Sequence, residues 1–167
     1  MSSALLSSKK MDWPTPRSVV AKAEQMLEIE WFDLDAAADC MNKKARFFYD
    51  ERANGLAQPW NYLGGVEVDH AYVWCNPPYG RSIPAWVEKA ASEAEAGRAT
   101  TAMLIPARPD TRYFHRWIWN AEQGRPRTGV EVHFLPGRIK FEGAPDPAPF
   151  PSMIVIFHAR FVPEVSA

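Results

Sequence analysis

The stretch Asn76-Pro77-Pro78-Tyr79 has residue types that can assist attack by a weakly nucleophilic amine. An amine on an aromatic ring, such as that of a nucleobase, is a poor nucleophile because its lone pair is delocalised into the ring. Two acceptors aimed at its two N–H bonds make the nitrogen more tetrahedral and stabilise the positive charge that develops during attack. The side-chain oxygen of Asn76 and the carbonyl of Pro77 are suited to be those acceptors.

The two residues that follow complete this pattern. Pro78 has a fixed φ and no N–H group, so it would hold the Pro77 carbonyl outward. Tyr79 could stack on a base extruded from its helix. A rigid turn at the end of a strand is the structural alternative, but a turn alone requires neither an Asn before the prolines nor an aromatic residue after them. The stretch therefore favours catalysis at an amine.

Predicted helices and strands surround this stretch on both sides. Helical spacing of apolar residues predicts a first helix over 16–28, with Thr15 as its N-cap and Pro16 in its first turn. A second helix should begin after Ser82 and end at Gly97, and a third should cover 110–121. Apolar runs predict strands over residues 31–35, 46–49, 71–75, 100–105, 130–135 and 152–157, with turn-rich segments at 52–65 and 136–151.

The alternation of strands and helices predicts an α/β fold, a three-layer αβα sandwich around a mostly parallel sheet. We expect one domain over residues 12–167, preceded by a small, polar and basic segment, residues 1–11, that should be flexible. In open α/β sheets, ligands bind outside the carboxyl ends of the strands. Four residues fall at such ends and should meet at one edge: Asp35, Asp50, Asn76 and Pro106.

The composition excludes several classes of protein. The 167 residues carry a net charge of −1 and are 47% hydrophobic, which is enough apolar content for one folded core. No apolar run approaches the roughly 18–20 residues that span a bilayer, and residues 1–10 do not resemble a secretion signal. The two cysteines and four scattered histidines form no metal-ligand or disulfide pattern. We therefore expect a cytoplasmic protein with neither a metal ion nor a membrane partner.

Basic residues are concentrated in the second half of the chain. Residues 98–140 contain eight Arg or Lys side chains and three acidic ones, a local net charge of +5. Seven of the eight are arginines, whose forked guanidinium groups suit phosphate contacts. A solvated helix face is the alternative for this region as a whole. Loops at 106–112, 122–129 and 136–151 are expected to read bases, and four arginines are the candidates for nucleic-acid contact: Arg81, Arg108, Arg112 and Arg138.

Six motifs occur in a fixed order along residues 12–158. They are Trp13-Pro14-Thr15-Pro16, Phe32-Asp33-Leu34-Asp35-Ala36-Ala37-Ala38, Asn54-Gly55-Leu56 with Pro59-Trp60, Trp74-Cys75-Asn76-Pro77-Pro78-Tyr79-Gly80, Met103-Leu104-Ile105-Pro106 and Gly137-Arg138-Ile139-Lys140-Phe141. In this order they resemble the phage-type DNA adenine-N6 methyltransferases, the Dam family of bacteriophages and prophages. The resemblance implies a Rossmann-like fold of the S-adenosylmethionine-dependent methyltransferases.

The resemblance also implies a cofactor site at the carboxyl edge of the first two strands. Asp35 would approach the methionine end of S-adenosylmethionine, with Ala36 in the tight turn that follows, although alanines stand where many methyltransferases have a glycine-rich loop. Asp35 could equally cap a short helix after that strand. Asp50 would bind the ribose hydroxyls, with Glu51 as the second choice, and Asn54 would lie near the cofactor's adenine.

Two further residues are implied at this site. The Thr15-Pro16 pair either caps the first helix or lies on the cofactor's carboxylate, and the sequence favours neither reading. Asn76 would border the cofactor as well as accept a hydrogen bond from the substrate amine.

The activity implied is methyl transfer from S-adenosylmethionine to the N6 amine of a flipped adenine in double-stranded DNA, at a specific or degenerate site. One alternative is a methyltransferase of the same fold that acts on RNA bases or on a protein glutamine amide. Another is a nucleic-acid-binding module that has lost catalysis. The Thr-Pro pair, the Asn54-Gly55-Leu56 motif and the motif over residues 137–141 favour DNA, and the intact Asn76 to Tyr79 stretch favours an enzyme.

Overall fold

A six-stranded sheet forms the centre of the computed structural model, which describes residues 14–160. The helices are α1 (Arg17–Leu27) and α2 (Ile83–Glu95), and a π-helical turn covers Phe114–Ile118. The strands in this part of the chain are β1 (Leu34–Asp35), β2 (Phe47–Phe48), β3 (Tyr62–Leu63), β4 (Val66–Glu67), β5 (Ala71–Cys75), β6 (Ala99–Pro106), β7 (Trp119–Asn120), β8 (Arg125–Pro126), β9 (Val130–Phe134) and β10 (Ser152–Phe157).

The strand order of the sheet is β2-β1-β5-β6-β10-β9. Strands β2, β1, β5 and β6 are parallel, and β10 pairs antiparallel with both β6 and β9. Of the six strands, β10 alone therefore runs against the others. The predicted α/β class with a mostly parallel sheet is confirmed, and β5, which carries Asn76 at its end, lies in the middle of the sheet.

Burial of apolar residues stabilises the centre of this sheet. All residues of β6 and β10 are buried, as expected for strands whose two faces are both covered. Helix α2 packs on β6 and buries an apolar stripe that includes Ile83, Trp86, Val87 and Ala90. Each large side chain that is fully removed from water contributes about 1.5–3 kcal/mol. The sheet is thus a rigid base for the loops that leave its carboxyl edge.

The carboxyl edge collects the residues that the sequence placed there. Asp35 ends β1, Asn76 directly follows β5, and Pro106 ends β6. Asp50 follows β2 by two residues, after a backbone hydrogen bond from Tyr49 N–H to the Asp35 carbonyl (2.9 Å). The predicted convergence of these four residues on one edge is confirmed.

The predicted N-cap of α1 is wrong. Pro16, rather than Thr15, occupies the N-cap position of α1, and no side chain caps that helix. Ser82 does stand at the N-cap of α2, but its hydroxyl donates to the Pro78 carbonyl (3.2 Å) instead of accepting from the helix. Gly97 follows the end of α2 as predicted, with a φ of 75° that favours glycine.

The third predicted helix, over 110–121, is also wrong in its extent. Helical conformation covers only residues 112–118, and Trp119 begins a β-hairpin in which β7 pairs with β8. Trp119 stacks on Phe114 with 6.0 Å between ring centroids. Aromatic side chains are weak helix formers and strong strand formers, so this packing overrides the helical spacing.

Other differences concern short elements and the ends of the chain. Strands β1 and β2 pair over two residues each, fewer than the predicted 31–35 and 46–49. The turn-rich segment 52–65 leads into a hairpin of β3 and β4 that the sequence did not predict. Segment 1–11, for which the sequence predicts flexibility, and Trp13 lie outside the described residues. Within residues 14–160, no helix has both the length and the apolar character to cross a bilayer.

Candidate active site

A cavity of about 540 Å³ opens at the carboxyl edge of β1, β2 and β5. Its volume lies within the range of roughly 300–1,000 Å³ that holds small molecules in proteins. The predicted site residues that line it are Thr15, Asp35, Ala36, Asp50, Asn54, Asn76, Pro77 and Pro78. Pro16 and Tyr79, which were also predicted, do not line it. One concave site therefore gathers residues that are up to 63 positions apart in the sequence.

Asn76 presents an unpaired acceptor at this site. Its side-chain Nδ2 donates a hydrogen bond to Thr15 Oγ1 at 2.8 Å. Its Oδ1 is buried and has no hydrogen-bond partner among residues 14–160. A buried carbonyl oxygen without a partner costs about 1–3 kcal/mol, so this oxygen is poised to accept a donor from a ligand. The hydrogen bond from Nδ2 also shows that the Thr15 hydroxyl contacts Asn76 and does not cap α1.

Asp35 organises the loop between β1 and β2. Its two carboxylate oxygens accept hydrogen bonds from the backbone N–H groups of Lys44 (2.9 Å) and Ala37 (3.3 Å). Burial raises the pKa of Asp35 from its ordinary value of 3.8 to about 6, against the opposing effect of these two hydrogen bonds. No helix follows β1, so the alternative of Asp35 as a helix N-cap is wrong. Asp35 instead connects both ends of the cavity-lining loop to the sheet.

Asp50 and Asn54 form a turn that also lines the cavity. One carboxylate oxygen of Asp50 accepts from Ala53 N–H (2.8 Å), and among residues 14–160 the other accepts no hydrogen bond. Asn54 has a φ of 56°, a left-handed conformation that Asn tolerates better than most residues. A Cβ atom on Gly55 would overlap the carbonyl oxygen of Ala36, so only glycine permits this close approach of the two loops.

A buried ion cluster around Glu93 of α2 holds the Asn54-Gly55 turn in place through Trp60. Glu93 of α2 is fully buried and pairs with Lys89 (2.7 Å) and Arg98 (2.8 Å). These partners lower the pKa of Glu93 in spite of its burial. The same carboxylate accepts from the backbone N–H of Trp60, whose Nε1 donates to the Gly55 carbonyl at 2.9 Å. The position of the Asn54-Gly55 turn is thus fixed through Trp60 to the helix.

Tyr79 is buried next to the cavity without lining it. Its ring is 9% exposed and makes edge contacts with Phe141 and Phe150. Its hydroxyl donates to the Leu104 carbonyl at 3.4 Å, and burial raises the pKa of Tyr79 far above its ordinary value. Stacking of a base on this ring, as the sequence suggested, stays a prediction and would require the segment that carries the two phenylalanines to move.

The four candidate arginines are exposed and follow strands at the carboxyl edge. Arg81 follows β5, Arg108 and Arg112 follow β6, and Arg138 follows β9. Arg108 makes a 3.7 Å contact with Asp110, a pair too exposed to hold its side chain away from a ligand. Contact of these arginines with nucleic acid stays a prediction.

The 122–129 loop does not share this edge. Val130, at the start of β9, lies opposite Phe157 at the end of β10, so the 122–129 loop is at the amino edge of the sheet, away from Asn76. Its Arg127 donates to the His115 carbonyl at 2.6 Å. The expectation that this loop reads bases beside the site is therefore wrong.

Several cavity residues were missed by sequence reasoning. The loop between β1 and β2 contributes Asp39, Asn42 and Lys44 to the lining. Asp39 Oδ1 accepts from the backbone N–H groups of Met41 (2.8 Å) and Asn42 (2.9 Å). An Asp followed by Asn three residues later is a turn signal and could have placed this loop at the site. Trp74 and Trp86 also line the cavity.

No three His, Cys, Asp or Glu side chains within residues 14–160 are grouped so that they could hold a metal ion. Two acidic residues of the cavity, Asp39 and Asp50, each accept hydrogen bonds from backbone N–H groups of their own turn. What the arrangement offers a ligand is a set of oxygen acceptors on aromatic and apolar walls. Such a site suits an organic molecule with several N–H and O–H donors.

Comparison with known proteins gives a consistent result. The family model described as DNA N-6-adenine-methyltransferase (Dam) matches residues 2–166. The DNA N-6-adenine-methyltransferase of Haemophilus phage HP1 is 30% identical over 157 residues, which cover 92% of this chain and 84% of that protein. The protein of the same name from Escherichia phage T1 is 35% identical over 111 residues, 66% of this chain and 42% of that protein. No solved structure matches the chain.

Proposed function

The chain belongs to the DNA N-6-adenine-methyltransferase (Dam) family, and we propose that its cavity binds S-adenosylmethionine beside an adenine that has left the DNA duplex. The protein is accordingly an enzyme that methylates adenine in DNA. The proposal concerns how this chain carries out the reaction: which residues meet the amine, which hold the methyl donor, and which contact the DNA.

The observation that carries the proposal is the free Oδ1 of Asn76. This oxygen is buried, borders the cavity and lacks a hydrogen-bond partner within the described chain. The N6 amine of adenine has two N–H groups, of which Oδ1 accepts one and the adjacent Pro77 carbonyl accepts the other. Each acceptor gains strength as positive charge develops on the nitrogen, so the pair binds the transition state more tightly than the ground state.

Asn76 is neutral and cannot act as a strong base. The amine proton therefore remains on the nitrogen until the new N–C bond has formed, when the alkylated, positively charged amine is acidic. Asn76 and Pro77 hold that proton in hydrogen bonds until water removes it. Tyr79 remains protonated throughout, because its burial raises the pKa of its hydroxyl.

The cavity fits the cofactor in size and in the chemistry of its walls. Asp50 has one carboxylate oxygen available for ribose hydroxyls, and Asn54 stands in the turn beside it. Asp35 and Ala36 shape the wall next to β1, where the methionine end would lie. S-adenosylmethionine supplies an electrophilic methyl group on its sulfonium. The chain's own part is to orient the amine towards that methyl group and to exclude water from the space between them.

Double-stranded DNA would approach the same edge. Arg81, Arg108, Arg112 and Arg138 are exposed there and would contact phosphates or base edges around the flipped adenine. The proposal includes a single Rossmann-like domain over residues 12–167, with helices on both faces of the sheet. It also places the reaction in the cytoplasm of a bacterial or phage-infected cell, where the DNA substrate is found.

A labelled-methyl experiment tests this proposal. The protein is incubated with S-adenosylmethionine that carries a labelled methyl group and with an adenine-containing duplex, and the DNA is digested to nucleosides. We expect the label in N6-methyldeoxyadenosine. A matched duplex with hypoxanthine in place of adenine has no exocyclic amine and should remain unlabelled. Absence of label from DNA adenine, with label on guanine or on a glutamine amide in parallel reactions that supply RNA or protein in place of DNA, would overturn the proposal.

A further inference from the structure

The side chain of Thr15 contacts the amide nitrogen of Asn76, the polar side-chain atom that the proposed reaction does not use. Asn76 Nδ2 donates to Thr15 Oγ1 at 2.8 Å, and Thr15 is 2% exposed. A carboxamide has an oxygen on one side and an NH₂ group on the other, so a rotation of 180° exchanges an acceptor for a donor. With the NH₂ group facing the adenine amine, two donors would oppose each other and no hydrogen bond would form.

We propose that Thr15 is a positioning residue that holds the Asn76 carboxamide with Oδ1 towards the substrate amine. The proposal rests on the function proposed above for Asn76. It assigns to Thr15 a role that is distinct from capping α1 and from contact with a ligand. The hydrogen bond from Nδ2 to Thr15 fixes the orientation of the carboxamide, because it gives Nδ2 an acceptor and leaves Oδ1 without a hydrogen-bond partner within the described residues.

The backbone around Thr15 is restricted from both sides. Pro14 and Pro16 flank it, so φ is fixed at both neighbours and the conformation of Thr15 itself is limited by the proline that follows. The Pro14 carbonyl accepts a hydrogen bond from Glu142 N–H at 3.0 Å, and the Pro16 carbonyl accepts from Val19 N–H at 3.0 Å. Thr is also β-branched, and its χ1 is stiff. The hydroxyl is therefore held at a fixed place relative to Asn76.

Replacing Thr15 by Val keeps the shape of the side chain and removes the hydroxyl. Nδ2 then lacks its partner, the carboxamide can adopt both orientations, and we expect single-turnover methylation at saturating cofactor to slow roughly ten- to a hundredfold. The KM for DNA should change less than threefold. Thr15→Ser, which keeps the hydroxyl, should recover most of the lost rate. Thr101→Val is the matched control, because Thr101 is buried in β6 and its hydroxyl has no partner within the described residues.

A double-mutant cycle separates positioning from a purely structural role. In Asn76→Asp the carboxylate has two equivalent oxygens, so its orientation no longer matters and no NH₂ group needs an acceptor. The Thr15→Val penalty should fall to less than threefold in the Asn76→Asp background. An equal penalty in both backgrounds, or full activity of Thr15→Val, would overturn the proposal.

A measurement on the cofactor-free protein distinguishes this proposal from the proposed function. The two side-chain NH₂ protons of Asn76 give a separate pair of signals in nuclear magnetic resonance spectra, and Asn76→Gln assigns them by their loss. We expect slow exchange with solvent in the wild type and in Thr15→Ser, and at least tenfold faster exchange in Thr15→Val. Fast exchange in the wild type would overturn the positioning role. Slow exchange together with a fully active Asn76→Ala would leave the hydrogen bond standing and overturn the proposed function instead.

Discussion

The buried carboxyl group of Asp35 makes stability depend on pH in a direction opposite to most acidic residues. Its pKa is raised from 3.8 to about 6 by burial, so between these values the folded protein binds a proton that the unfolded chain does not. Stability contributed by this group is fully present below pH 3.8 and is lost as pH rises towards 6. A difference of about two pH units corresponds to about 3 kcal/mol at most.

Asp35→Asn isolates this effect. Asparagine is neutral at every pH, so the variant lacks the pH-dependent loss, while it keeps one oxygen for the N–H groups of Lys44 and Ala37. Losing the other acceptor should destabilise the variant by about 1–3 kcal/mol independently of pH. The free energy of unfolding of the variant minus that of the wild type should therefore rise by up to about 3 kcal/mol between pH 4 and 6.5, and then level off.

Urea unfolding of both proteins at half-unit steps from pH 4 to 7.5 measures this difference. Other titrating groups are present in both proteins. Hydrogen bonds from Asn42 lower the pKa of Asp39 in the same loop, so Asp39 remains largely ionised over this range in both proteins. A difference that stays flat over this range would mean that the carboxyl group of Asp35 titrates as if exposed. The account of the loop between β1 and β2 as anchored to a buried carboxylate would then be refuted.

Three further sets of substitutions test the site and its surroundings. Asp50→Ala should weaken S-adenosylmethionine binding roughly ten- to a hundredfold in calorimetry, because a charged acceptor is lost, and unchanged affinity would remove Asp50 from the site. If Arg108, Arg112 and Arg138 contact phosphates, replacing each one by alanine should lower the slope of log DNA affinity against log salt concentration by about one unit. Arg125→Ala, at the amino edge of the sheet, should leave the slope unchanged, and equal slopes for all four variants would contradict the placement of DNA. Tyr79→Phe should cost no more than about 1 kcal/mol of stability in thermal unfolding, since it loses one long hydrogen bond, whereas Tyr79→Ala should cost about 3–5 kcal/mol; similar losses for both would contradict a packing role of the ring.

The sequence was most informative where chemistry and periodicity coincide. Strand β5 was predicted at its observed bounds because its apolar run ends abruptly at Asn76-Pro77. Helix α2 was predicted close to its observed bounds because its apolar stripe is followed by Gly97. The meeting of Asp35, Asp50 and Asn76 followed from one rule, that parallel strands end at the same edge. Which residues lie at one edge depends on the topology of the sheet, and the alternation of strands and helices in the sequence largely predicts that topology.

Interactions between distant segments were beyond sequence reasoning. Thr15 and Asn76 are 61 residues apart, and nothing local distinguishes a hydroxyl that caps a helix from one that binds a carboxamide. The packing of Trp119 on Phe114 similarly replaced the end of a predicted helix by a hairpin. The 122–129 loop was placed at the wrong edge because the direction of β9 depends on its pairing with β10, which composition does not reveal.

The central claim is that the free oxygen of Asn76 accepts an N–H of the target adenine, and single-turnover methylation of a duplex by Asn76→Ala tests it most directly. With cofactor and DNA both saturating, we expect the rate of methyl transfer to fall roughly a hundred- to a thousandfold, as when one of two preorganised hydrogen-bond partners of a transition state is lost, while calorimetry shows that cofactor binding persists. Asn76→Asp should retain more activity, because a carboxylate accepts the same hydrogen bond. A near-normal rate for Asn76→Ala would contradict the claim, and the Asn76-Pro77-Pro78-Tyr79 stretch would then be a turn that shapes the site without taking part in the reaction.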